Sequence, residues 1–142
     1  MQNDPLAELQ NKSLDTPLVT RIHHCSLIVA DTSKSVEFYA KTLGLVVDES
    51  RPDLGYQGAW LQVIGSQTHL LELPNPDPTE NRPEHGGKDR HVALQVADLD
   101  AVIQRLELAG VRYTKSKSGR AALFFRDLDG NAIELVEVSI PS

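Results

Sequence analysis

The sequence is short of several features that often define a protein at once. It holds a single cysteine, Cys25, in 142 residues, so no internal disulfide can form and a reducing, cytoplasmic setting is expected. Positive charge is in the minority. Fourteen Lys and Arg stand against 20 Asp and Glu, a net charge of −6, which argues against nucleic acid and anionic membrane as partners. No apolar run approaches the roughly 20 residues that a membrane span needs. The opening Met1-Gln2-Asn3-Asp4-Pro5 has neither the basic start nor the apolar stretch of a secretion signal. Aromatic residues make up only 5% of the chain. The length suits one compact domain with a real core, and the composition is ordinary for a soluble globular protein.

What is present is a repeat. His24-Cys25-Ser26-Leu27-Ile28-Val29-Ala30-Asp31 and His91-Val92-Ala93-Leu94-Gln95-Val96-Ala97-Asp98 both read His-x-x-Leu-x-Val-Ala-Asp. Each copy is followed by helical spacing and then by a Gly, in Leu43-Gly44-Leu45 and Ala109-Gly110-Val111. Further on, Gly65-Ser66-Gln67-Thr68-His69-Leu70 matches Gly130-Asn131-Ala132-Ile133-Glu134-Leu135. The offset between copies drifts only from 67 residues (His24 to His91) to 65 (His69 to Glu134). A repeat of this length implies two similar modules in one chain.

Each module reads β-α-β-β-β. Residues 1–19 form a polar leader with weak helical spacing. Module one covers 20–73, a Pro-, Gly- and charge-rich linker 74–89, and module two 90–139. The first strands alternate: His24, Ser26 and Ile28 share a mixed face, and Cys25, Leu27 and Val29 an apolar one. Asp31 and Asp98 stand where helix N-caps belong, and Gly44 and Gly110 where helices stop. Strands follow at 45–48 and 111–115. Gly58–Ile64 with Gln67–Leu73, and Ala121–Arg126 with Ala132–Val138, read as hairpins; the second is turned by Asp127-Leu128-Asp129-Gly130-Asn131.

The repeat puts His24 and His91 at equivalent places on first strands, and His69 and Glu134 on last strands. Were the modules to face each other about a pseudo-twofold axis, these four would converge in one cup. Imidazoles with one carboxylate suit a divalent ion such as Fe, Mn, Ni, Co or Zn. Glu72 competes with His69, but lies three residues away and so points to the opposite face of a regular strand.

These motifs resemble the vicinal oxygen chelate superfamily, which includes glyoxalase I, extradiol dioxygenases, fosfomycin-resistance enzymes and bleomycin-resistance proteins. The resemblance spans residues 20–139. It rests on the His openings with Val29-Ala30-Asp31, on Ser35-Val36-Glu37-Phe38-Tyr39 with Leu43-Gly44-Leu45, and on Phe124-Phe125-Arg126-Asp127-Leu128-Asp129-Gly130-Asn131 leading to Ile133-Glu134-Leu135. It implies an α+β fold of two β-α-β-β-β modules in a cupped, open, barrel-like mixed sheet, and a homodimer. It carries metal-ligand roles onto His24, His91 and Glu134. The fourth position is often Glu in glyoxalase-like members and is His69 here. Four residues after the first His, glyoxalase I proteins tend to carry an Arg that serves glutathione; here it is Ile28.

Three functions follow from the resemblance. The first is a metal-dependent isomerase or lyase acting on a small substrate through vicinal oxygens, with Glu134, or a ligand that leaves the metal transiently, moving the proton. The second is an extradiol-type dioxygenase using His24, His91 and Glu134, with His69 outside the ligand set. The third is a non-enzymatic binder, which needs an aromatic-lined cup that this chain is poorly equipped to build. Blander roles are expected elsewhere. Cys25 reads as a buried small residue, and His23 as a surface or packing residue. His85 reads as solvated, with a mobile loop over the cup as the alternative that would bring it to a substrate, and Glu72 and Glu137 read as rim or surface charges. Trp60, Tyr56 and Phe125 could line the cup, with core packing as the default; Lys115, Lys117 and Arg120 could hold an acidic substrate group, with a solvated basic loop as the blander reading; and Arg126 reads as a surface or hairpin ion pair with Asp127.

Overall fold

The structure, a computed structural model, describes residues 2–10 and 17–139; residues 1 and 11–16 of the expected leader lie outside the described residues. A short helix α1 (Pro5–Gln10) precedes β1 (His24–Val29), α2 (Thr32–Leu43), β2 (Val46–Val47), β3 (Gly58–Val63) and β4 (Ser66–Glu72). After a 3-10 turn at Gly86–Lys88 come β5 (His91–Val96), α3 (Leu99–Leu108), β6 (Tyr113–Lys115), β7 (Ala122–Arg126) and β8 (Ala132–Glu137).

Local chemistry sets the helix ends. Asp31 and Asp98 each accept from the third backbone N–H onward, Lys34 N and Ala101 N, a cap worth about 1 kcal/mol. Gly44 ends α2 in the left-handed region at φ 67°, where a β-carbon would strain the turn. After α3, Val111 N donates back to Leu106 O at 2.8 Å. That bond commits residue 111 to the helix exit, so β6 begins later than the alternation suggests.

The strands form two separate four-stranded mixed sheets, ordered β1-β4-β3-β2 and β5-β8-β7-β6. The class is α+β, and the sheets stay open rather than closing a barrel. The repeat holds at the level of register: β1 runs parallel to β4 with Ser26 opposite His69, and β5 runs parallel to β8 with Ala93 opposite Glu134. Each sheet turns one face to the helices. Val29, Leu61, Leu70, Leu106, Leu123, Phe125, Ile133 and Leu135 from both units, with Phe38 and Tyr39, form one continuous core. The opposite faces carry His24, His69 and Trp60 in the first sheet, and His91, Phe124 and Glu134 in the second.

The two units are joined by polar contacts as well as by the core. Tyr39 on α2 donates its hydroxyl to Asp127 Oδ2 at 2.7 Å. The Asp127 carboxylate also accepts from Asp129 N, Asn131 N and Asn131 Nδ2. Asn131 Nδ2 in turn donates to Ile28 O, and Ala30 N donates to Asp129 Oδ1. Burial first, and then the Asp127 charge, push the Tyr39 phenol well above its usual pKa. On the outer side, Arg105 of α3 donates to the Ala40 and Lys41 carbonyls at the end of α2. Tyr39→Phe removes one of four donors from a buried carboxylate and is expected to cost about 2 kcal/mol. Urea unfolding should show a lower midpoint at an unchanged slope; an unaltered midpoint would mean that the remaining three donors suffice.

Candidate metal centre

The first sheet contributes His24 and His69. Their rings stack at 3.9 Å between centroids, and Trp60 stacks on the far side of His69 at 4.8 Å. Hydrogen bonds fix which His69 nitrogen is free. Asp48 Oδ2 can only accept, so it takes Gln67 Nε2–H at 2.7 Å. That leaves Gln67 Oε1 to accept from His69 Nε2 at 2.8 Å. The His69 proton is therefore on Nε2, and Nδ1 keeps its lone pair. Burial, and then the charges of His24, His23 and Arg51, hold the His69 imidazole below its usual pKa, which favours the neutral form that a metal needs. His23, expected as a surface or packing residue, is exposed and meets the His24 ring, Nδ1 to Nδ1 at 2.9 Å.

The second sheet contributes His91 and Glu134. His91 Nδ1 lies 2.8 Å from Asp89 O, a carbonyl that only accepts, so this nitrogen carries a proton. His91 Nε2 faces Glu134 Oε2 at 3.2 Å. In the neutral ring that is a lone pair facing a carboxylate, two acceptors that a cation can bridge. A backbone-oriented imidazole beside a carboxylate is an arrangement that a metal site can use. Glu134 is 5% exposed, and its other oxygen lies 3.4 Å from Arg120 Nη2.

The structure thus gathers the four sequence-predicted residues as two pairs. Among the described residues, no three His, Cys, Asp or Glu side chains are placed to share one ion. Between the edges of β1 and β5 lies a cleft of about 320 Å³ whose walls include Cys25, Ile28, His91 and Asn131.

Several side chains are placed otherwise than the sequence suggests. Glu72 does turn away from His69, but it is no rim charge: its Oε1 accepts from Thr32 N at 2.8 Å and so serves the start of α2. Arg126 does not pair with Asp127. It reaches Asp89 Oδ2, Gly130 O and Pro83 O. Trp60 belongs to the first half-site rather than the core, and Tyr56 offers its carbonyl and ring to Arg51. Phe125 is core as expected. Phe124, which the sequence reading passed over, lies on the site face, 5.2 Å from His91 and 4.9 Å from His85 by ring centroids. Strand parity could have found it, since Phe124 pairs with Glu134.

The linker is an ordered strap. Gly86 packs so closely on Phe124 and Ala132 that a β-carbon there would lie 3.3 Å from one and 3.4 Å from the other. His85 is half-buried rather than solvated, and its Nδ1 accepts from Gly87 N. Asp89 anchors the strap. Its carboxylate takes Arg82 Nε at 2.8 Å and Arg126 Nη1 at 2.8 Å. The Arg82 guanidinium, above all, holds the Asp89 carboxyl well below the usual carboxylate range.

The fold and the paired donor sets define a class, and comparison with known proteins agrees. The model of the Glyoxalase/Bleomycin resistance protein/Dioxygenase superfamily matches residues 21–135; the chain belongs to this superfamily. Among curated relatives, Glyoxylase I 4 of Arabidopsis thaliana is 30% identical over 122 residues, which is 82% of this chain and 70% of the relative. The glutathione transferase FosA of Serratia marcescens is 32% identical over 121 residues, 83% of this chain and 81% of that one. Among solved structures, the fosfomycin resistance protein FosX of Listeria monocytogenes, complexed with Mn(II) and sulfate, superposes with a TM-score of 0.65 at 18% identity, over 87% of this chain and 94% of that one. Both curated relatives are named as enzymes, and this chain is a member of the same enzyme superfamily.

If Asp89 holds the strap, Asp89→Asn lowers stability by about 2 kcal/mol, the scale of a hydrogen bond to a charged group. Arg90→Gln, which breaks only the exposed pair with Asp77, costs no more than about 0.5 kcal/mol. Amide exchange at Lys88 and Asp89, whose N–H groups close the 3-10 turn, should accelerate in the first variant and not in the second. Equal effects would remove Asp89 from its special place.

Proposed function

We propose that the protein is a metal-dependent enzyme of the isomerase or lyase type, acting on a small substrate that chelates a divalent ion through two neighbouring oxygens. The reading is carried by His91 and Glu134, a backbone-oriented imidazole facing a buried carboxylate at 3.2 Å. His24 and His69 complete the ligand set in this proposal, with His69 presenting Nδ1. The residues fit the group chemically, as three neutral nitrogens and one anionic oxygen suit Mn, Fe, Co, Ni or Zn.

When bound, the ion supplies Lewis acidity that polarises the two substrate oxygens. The protein's own residues do the rest. Glu134, nearly sealed from solvent, is the group placed to take a proton from the substrate carbon and return it. Trp60 and Phe124 line the two half-sites and exclude water. Asp89, through its carbonyl, keeps the His91 lone pair on Nε2. Residues 20–139 serve as one catalytic domain in this reading, with residues 74–89 strapped across its second half.

The division of the ligands into two pairs favours a homodimer in which the first half-site of one protomer meets the second half-site of its partner. His24→Ala and Glu134→Ala, purified separately, should each bind little metal by elemental analysis. Co-expressed, they should regain about one quarter of the wild-type sites, because half of the dimers are mixed and each mixed dimer holds one intact site. Metal regained to that level supports the exchanged site; none regained means that each chain builds its own. Wild-type protein that takes up no metal at all would overturn the enzyme reading.

A further inference from the structure

Two carboxylates are buried among the described residues, Asp127 and Glu134. They differ in how they are satisfied. Asp127 accepts from four donors and needs nothing more. Glu134 has His91 at 3.2 Å on one oxygen and Arg120 at 3.4 Å on the other. Leaving a buried carboxylate without a cation is costly, so Arg120 is the residue that keeps Glu134 tolerable before a metal arrives.

Arg120 is also easy to remove. Its side chain is 63% exposed while that of Glu134 is 6% exposed, and a pair with one partner in solvent is weak. It is tethered so that displacement does not carry it away. Ser118 Oγ accepts from both Arg120 N and Arg120 Nε at 3.3 Å, and Ser116 Oγ holds Ser118 Oγ at 2.7 Å. This grip uses neither terminal nitrogen, of which Nη2 faces Glu134. Lys117 lies in the same loop, Lys115 ends β6 just before it, and residues 115–120 contain no acidic side chain.

We propose that Arg120 is a displaceable counter-ion: it neutralises Glu134 in the metal-free protein, yields it to the ion, and then binds an anionic group of the substrate. The inference rests on the metal site proposed above and narrows its substrate class. The substrate carries two neighbouring oxygens and, beside them, a carboxylate or a phosphate. Arg120 is then a specificity residue that contacts the substrate directly.

The test uses the full-length protein as wild type, Arg120→Gln and Arg120→Lys. Mn(II) affinity is measured by titration calorimetry, and inorganic phosphate and acetate are then titrated into the Mn(II)-loaded protein. Arg120→Gln is expected to bind Mn(II) about fivefold tighter, because its competitor is gone, and its loaded form to bind the preferred anion about tenfold more weakly. Arg120→Lys keeps the charge and should restore both values towards wild type. A larger loss for phosphate than for acetate assigns the anionic group as phosphate; the reverse assigns carboxylate. Arg120→Gln that binds Mn(II) no tighter than wild type, or that leaves both anions unaffected, overturns this inference alone. Wild type that binds no Mn(II) overturns the metal reading, and this inference with it.

Discussion

The arrangement of the molecule depends on one buried carboxylate. Asp127 sits at the turn between β7 and β8 and takes donors from both halves of the chain: Tyr39 from α2, and Asn131 and Asp129 from its own turn. Asn131 and Asp129 then bond the end of β1 through Ile28 and Ala30. The same turn leads into β8, three residues before Glu134. The joint between the units and the second half-site are therefore built on one short segment, and a shift in one is a shift in the other. An ionised group held this way has little freedom, because each lost donor exposes a charge in a medium that solvates it poorly.

A second carboxylate does similar work for His91. Asp89 draws Arg82 and Arg126 together under the strap, and its backbone carbonyl orients His91. Arg126 also reaches the strap at Pro83 and the hairpin at Gly130. The strap, β7 and β8 are thus tied at one place, next to Phe124. Packing and polar contacts agree there: the close approach of Gly86 to Phe124 and Ala132 leaves little room for a side chain, and the ion pairs hold the segment that carries it.

The two half-sites share a register but not a chemistry. On the first sheet the donors are imidazoles stacked with an indole, and an amide chain from Asp48 sets the His69 tautomer. On the second, a carboxylate replaces one imidazole, and a backbone carbonyl sets the tautomer of the other. Repetition supplied the geometry, and substitution at one equivalent position, His69 against Glu134, supplied the asymmetry. That asymmetry puts the only anionic donor where Arg120 can reach it.

Much of this was legible in the sequence, because it depends on local period and local chemistry. The β-α-β-β-β order, the caps at Asp31 and Asp98, the glycine at the end of α2 and the repeat equivalence of His24 with His91 follow from alternation, helical spacing and turn residues. Strand parity alone separates His69 from Glu72. Tertiary structure alone decided what depends on distant contacts. It brought Arg126 to Asp89 rather than to its neighbour Asp127, gave Glu72 to the first turn of α2, laid the linker across Phe124, and divided the four candidate ligands into two pairs. A carboxylate beside an arginine in sequence carries no instruction about which other charge will lie closer once the chain is folded. Side-chain period is set within a few residues, whereas partners for buried charge are set by whichever surfaces the core brings together.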